Sequence, residues 1–302
     1  MTTLEIKPSQ PWKHKQFRLI PRSKQSAKDW IAATIITLGF ILAVIPVISI
    51  LATTIIKGSA GLRPHIFVNT MASASYSDPL SKGGLLHAII GTLYLILIAT
   101  IISLPLSILT ALYLTEIKGR AATLIQFLIQ AMSGVPSVVA GVFIYAAILL
   151  TTHLRGSTFI GALPLAILMI PTVTRTAQEV LNLVPNELRE AGLALGATQW
   201  RTVMTIVVPA ARSGLITATI LGIARIAGET APLLFTTGGA DDTNLNPFDG
   251  NMGTIPFYIW KALIDGSPEA ASRAWAGIFI LMIAVLALFA LARFLSRGKG
   301  VK

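Results

Sequence analysis

Glu190-Ala-Gly-Leu-Ala-Leu-Gly196-Ala-Thr-Gln-Trp-Arg-Thr-Val-Met-Thr-Ile206-Val-Val-Pro209 decides the reading of this chain. It separates two apolar segments and is itself patterned as helix. A short helix, a glycine break and a second helix running into an apolar span account for it. Asn186 stands at the expected N-cap, with Pro185 just outside. Glu187 and Glu190 then fall in the first turn, where negative charge suits the helix dipole. Leu188, Ala191, Gly192 and Leu195 share one face at helical spacing. That face carries small residues, so it can slot into a groove on another protein. Gly196 supplies a left-handed stop, and Thr198 can cap the helix that follows.

Outside this stretch the chain is mostly apolar. Of 302 residues, 54% are hydrophobic and 12% charged, against about 25% charged in soluble domains. The apolar residues lie in long runs, which makes this an all-α polytopic membrane protein. Cysteine is absent, which excludes disulfides, thiolate metal sites and cysteine nucleophiles. The four histidines, at 14, 65, 87 and 153, are scattered and show no ligand spacing, so no metal or other cofactor is expected. The net charge of +11 does not indicate nucleic-acid binding. The basic residues flank apolar runs, where they report topology in the lipid bilayer.

Six spans are predicted. Residues 1–29 form a basic tail. The run 31–56 is too long for a signal-peptide core and lacks a small-residue cleavage site, so it reads as an anchor span. The others fall at about 88–114, 124–150, 159–173, 213–235 and 275–294, giving a transmembrane domain over 30–296 and a short tail at 297–302. The third span contains Ser133-Gly-Val-Pro136, where proline and glycine together bend or unwind a helix. Such a break survives at membrane depth only inside protein or beside water. Lys and Arg concentrate in the two tails, the 116–122 loop and the stretch at 185–209, which places both termini and that stretch in the cytoplasm.

Arg225 and Glu229 fall inside the predicted fifth span. Spacing of four puts them on one helix face within ion-pair reach. A lone charge there costs roughly 3 kcal/mol on insertion scales, so the pair is expected to face the bundle interior or a water-filled path. Gly214, Ala218 and Gly222 form a small-residue stripe beside it, suited to close helix approach. Arginine is a natural partner for a tetrahedral oxyanion, and a neighbouring carboxylate would keep that grip weak enough for release. Arg175, at the end of the predicted fourth span, either contacts the same anion or snorkels to lipid phosphates.

The opening stretch resembles the EAA loop of ABC importer permeases. Glu190, Ala191, Gly196, Ile206 and Pro209 match at its spacing, Gly192 replaces the usual third Ala and Val208 the usual Leu. Ala224-Arg225-Ile-Ala-Gly228-Glu229-Thr-Ala-Pro-Leu-Leu resembles the signature of phosphate-specific members. Ser133-Gly-Val-Pro-Ser-Val-Val and Pro171-Thr-Val-Thr-Arg175-Thr are similar to other pieces of that family, and Asn251-Met-Gly-Thr-Ile-Pro256 resembles a loop of its A-type subunit. The resemblance covers roughly residues 85–295. It implies a bacterial inner-membrane subunit that moves phosphate, with Arg175, Arg225 and Glu229 in the translocation region. It implies that Glu190, Ala191, Gly192 and Gly196 dock a cytoplasmic ATP-binding subunit. A second permease subunit, forming a heterodimer, and an extracytoplasmic phosphate-binding protein complete the implied partners. Sulfate or molybdate in place of phosphate, and a stand-alone anion channel, are the alternatives. No Gly-x-x-x-x-Gly-Lys-Ser/Thr loop occurs in the sequence, so ATP hydrolysis is expected on a partner and the chain is not expected to be an enzyme.

Overall fold

The computed structural model describes residues 27–152 and 155–296. The basic tail up to residue 26 and the tail at 297–302 lie outside the described residues. The chain divides into two compact units, the first ending at Leu51 and the second beginning at Ala52. Every regular element among the described residues is helical. Helix α1 (Ala27–Gly61) runs across the boundary between the units and contains Pro46. Its first half is exposed and apolar, with Ile36, Phe40 and Leu42 each about two-thirds exposed or more, as a lipid-facing helix requires.

The second unit is built around α5 (Thr158–Asn182), which packs most extensively against α2 (Leu86–Glu116) and then against α7 (Gln199–Ala227). Ser157 caps α5 by accepting from the Ile160 amide at 3.3 Å. The helix runs on to Asn182, so the fourth span extends well past the predicted end at Val173. Pro171 is absorbed within the helix, and Thr172 and Thr176 hydrogen-bond back to the carbonyls of Leu168 and Thr172. Ser107 of α2 donates to Ile170 O at 3.3 Å, and Thr174 donates to Ser107 O at 3.4 Å. These polar bonds between helices hold where apolar burial gives little drive in lipid.

The third span is not one helix. Helices α3 (Arg120–Ser133) and α4 (Ser137–Thr152) meet at a bend of 102°. Pro136 is extended, with φ −59° and ψ 139°, at the head of α4. The residue before a proline is pushed out of the helical region, so Gly134 ends α3 and the chain turns. Among the described residues, five helices are long and apolar enough to cross a membrane, and the bent pair makes a sixth if counted as one span.

The stripe Gly214, Ala218, Gly222 on α7 faces α5. Ala218 is fully buried, and a Cβ at Gly222 would strike Val173 and come within 3.0 Å of Met169. After α6 (Asn186–Ala194) and α7, a short turn α8 (Leu233–Thr236) precedes α9 (Ile255–Asp265) and α10 (Pro268–Ser296).

Two charged clusters mark opposite ends of this unit. At one, Arg189 meets Glu116, the last residue of α2. At the other, Asp241 accepts from Tyr76 at 3.1 Å and pairs with Lys261 at 3.0 Å. Arg273, almost wholly buried, donates to the carbonyls of Tyr76, Asp78 and Pro79. Burial first, and then the Asp241 charge, raise the Tyr76 phenol above its ordinary value, so it remains a donor to Asp241. This ties the loop 62–85 to the loop 237–254.

Candidate functional site

The stretch 185–209 folds as a helix-turn-helix, with three corrections. Pro185, not Asn186, occupies the N-cap, and no side chain caps the helix. Asn186 is the first helical residue, and its Oδ1 accepts from Arg189 at 3.3 Å. Only Glu187 lies in the first turn of α6. Gly196 adopts φ +81°, the left-handed turn that glycine occupies without steric cost. Thr198 caps α7 by accepting from the Arg201 amide at 3.3 Å.

The predicted docking face is divided between two directions. Leu188, Ala191 and Leu195 are exposed, Leu195 to 89%. Gly192 is buried: a Cβ there would sit 2.7 Å from Thr202 Cγ2 and 2.9 Å from Ile206 Cδ1. The glycine in place of alanine lets α6 lie directly on α7. Glu190, Ala191 and Gly196 remain on the accessible side. Just beyond, α7 carries a π turn at Val203–Val207, a feature common at functional positions in helices.

Arg225 and Glu229 do not share a helix. The helix α7 ends at Ala227, and Gly228 follows as its cap. Proline cannot donate to the carbonyl four residues back and clashes with it. Pro232 therefore disrupts the helix at Gly228, and the chain resumes helical form only at Leu233. Among the described residues no ion pair joins Arg225 to Glu229. Arg225 is exposed and Glu229 half-buried. Glu229 lines a small cleft with Thr92 and Leu95 of α2, Leu165 of α5, Ile226 of α7, and Thr254 and Pro256 at the start of α9.

Gly222 meets Val173 while Gly214 meets Val180, so α5 and α7 run antiparallel. In that register Arg225 lies about 8 Å from Arg175 along the axis, towards the start of α5. Arg225 is thus level with the middle of α5, and the non-helical segment 228–232 continues from there towards the start of α5. Arg175 is part-buried within α5, well before its end, and its Nε is buried without a hydrogen-bond partner. Sequence reading missed Arg189, whose partner Glu116 is 73 residues away. No local pattern could have paired them.

Comparison with known proteins extends this geometry. Residues 103–301 match the binding-protein-dependent transport system inner membrane component family. The chain is 35% identical over 278 residues to phosphate transport system permease protein PstA 1 of Mycobacterium tuberculosis (strain CDC 1551 / Oshkosh), covering 91% of this chain and 90% of that protein. It is 41% identical over 247 residues to PstA of Pasteurella multocida, covering 81% and 85%. Among solved structures it resembles a bacterial alginate ABC transporter chain, with TM-score 0.61, 16% identity, and 91% and 98% of the two chains covered. A chain of the inward-facing methionine ABC transporter MetNI gives TM-score 0.60 at 17% identity, covering 70% and 94%. The exposed Gly196 turn and the helix break at 228–232 sit in a chain that belongs to the binding-protein-dependent transport system inner membrane components, among the permeases of the PstA kind.

Proposed function

We propose that this chain is a permease subunit of an ATP-driven importer and moves inorganic phosphate across the bacterial inner membrane. The observation that carries the reading is the similarity to phosphate transport permeases along nearly the whole chain, at 35–41% identity. ATP hydrolysis belongs to a partner subunit that docks on Glu190, Ala191, Leu195 and the Gly196 turn, with Gly192 supporting the helix from behind. A binding protein delivers phosphate at the end clasped by Asp241, Lys261 and Arg273. The 1–29 tail, the 185–209 loop and the 297–302 tail are cytoplasmic, as the distribution of Lys and Arg supports.

Arg225, Glu229 and Arg175 lie along the phosphate path. A charged arginine at membrane depth costs about 2.5–3.5 kcal/mol when it faces lipid. Arg225 is exposed on this chain, so a second permease subunit, or water between the two, covers it. Gly228–Pro232 is non-helical backbone at that depth, tolerated where it lines a water-filled cavity. Glu229, unpaired with Arg225 in this state, limits how tightly an anion is held.

The test is a reconstituted complex with topology reporters fused after residue 302 and within 241–250. Phosphate is expected to stimulate ATP hydrolysis and to enter vesicles against a tenfold excess of sulfate or molybdate. The reporters are expected to read cytoplasm and exterior respectively. Uptake inhibited by sulfate or molybdate as strongly as by unlabelled phosphate would reassign the substrate, and an exterior C-terminus would overturn the coupling assignment.

A further inference from the structure

Arg189 stands one position before Glu190 but points the other way. Its side chain is 17% exposed, and its Nε donates to Glu116 Oε1 at 3.1 Å. One terminal nitrogen donates to Val184 O at 2.7 Å and to Asn186 Oδ1 at 3.3 Å, and the other to Leu181 O at 2.9 Å. The planar guanidinium fork is suited to holding several acceptors at fixed angles. Leu181 belongs to the last turn of α5 and Val184 lies just beyond it. Helix carbonyls there lack intrahelical donors, and a cation is favoured by the helix dipole. Glu116 closes α2, and its backbone carbonyl also accepts from Gln199 Nε2 at 3.3 Å, at the start of α7.

The inward face of α6 thus touches three spans. Gly192 rests on α7, and Arg189 grips α5 and α2. Without the guanidinium, α6 keeps its steric contact with α7 but loses every polar bond it makes to α5 and α2 among the described residues. Arg175 lies on α5, and Thr92 and Leu95 of the Glu229 cleft lie on α2. Besides the short 183–185 connection to α5 and the contact through α7, Arg189 is the polar link by which a displacement of α6 reaches α5 and α2 among the described residues.

We infer that Arg189 is a positioning residue that carries the movement of the ATPase-docked coupling helix into α5 and α2. This rests on the importer reading above. An ion pair serving stability alone would lower assembly, hydrolysis and uptake together. A positioning residue would separate hydrolysis from uptake.

The test uses the full complex, co-expressed with its second permease and ATP-binding subunits, reconstituted in vesicles and supplied with its phosphate-binding protein. Glu116→Gln with Arg189→Gln removes both charges, so neither is left buried alone. Assembly and basal hydrolysis are expected within about twofold of wild type, with phosphate-stimulated hydrolysis and uptake at least tenfold lower, a loss of the size that one or two charged hydrogen bonds support. Arg189→Lys keeps a charge for Glu116, but one ammonium cannot span Glu116 and both carbonyls. It is expected to show the same separation, several-fold in size. Wild-type uptake in either assembled variant overturns the inference, and so does failure of both to assemble, which would make Arg189 a fold residue only. A wild-type complex with no phosphate-stimulated hydrolysis would instead overturn the importer reading.

Discussion

Arg225→Gln is expected to leave the assembled complex intact and to lower phosphate uptake at least tenfold. Had Arg225 been paired with Glu229 inside a continuous helix, the single change would have stranded a buried carboxylate and destabilised the protein by several kcal/mol. The helix ends at Ala227, no ion pair joins the two among the described residues, and Arg225 is exposed on the subunit. Its removal therefore strands nothing within this chain. What is lost is a charged donor for an anion, where such hydrogen bonds contribute about 1.5–3 kcal/mol, or roughly one to two orders of magnitude. The measurement is radiolabelled phosphate uptake normalised to assembled complex, with Arg225→Gln/Glu229→Gln alongside. Near-normal uptake by both would remove Arg225 and Glu229 from the path and leave Arg175 as the remaining candidate.

The second large effect concerns packing. Gly222→Leu is expected to abolish most assembly, because even a Cβ at this position meets Val173 and Met169. Overpacking a tight contact costs about 1–3 kcal/mol and sometimes more, and here the neighbours belong to α5, the central helix of the unit. Gly228→Ala is the control. Nothing lies within 4 Å of its Cβ, and its φ of −98° suits any residue. Detergent-extracted complex should fall several-fold for Gly222→Leu and stay near wild type for Gly228→Ala. Equal yields would show that α5 and α7 are not held at the separation seen here.

The elements that were legible in the sequence are those whose signals are local. The Gly196 turn and the Thr198 cap follow from turn chemistry within a few residues, and the small-residue stripe on α7 follows from helical spacing. The end of α7 was misread because apolar residues continue through Pro232 to Phe235. Mean hydropathy does not register a missing backbone donor, and that donor decides where the helix stops. The fourth span was cut short at Val173 for the converse reason. Its threonines look like a polar boundary, yet they bond to the helix's own carbonyls and to Ser107 of α2. The bend at Pro136 was expected, but its size depends on how α3 and α4 pack on α5. The two roles of the coupling face, with Leu195 outward and Gly192 inward, depend on α7 lying behind it. Periodicity alone does not say which neighbour a face meets.

The central claim is that the break between α7 and α8 lies on a water-filled phosphate path. The chain contains no cysteine, so a single introduced thiol reports without background. Thr230 is half-buried within the break, and its backbone carbonyl accepts from the amides of Leu233 and Leu234. Thr230→Cys in the reconstituted complex should react with a small, charged, membrane-impermeant methanethiosulfonate, and saturating phosphate should slow that reaction several-fold. Leu245→Cys, exposed to 66% on the loop, should react equally fast with and without phosphate. A Thr230→Cys thiol that stays unmodified both without nucleotide and with ATP trapped, while Leu245→Cys reacts, would contradict the account.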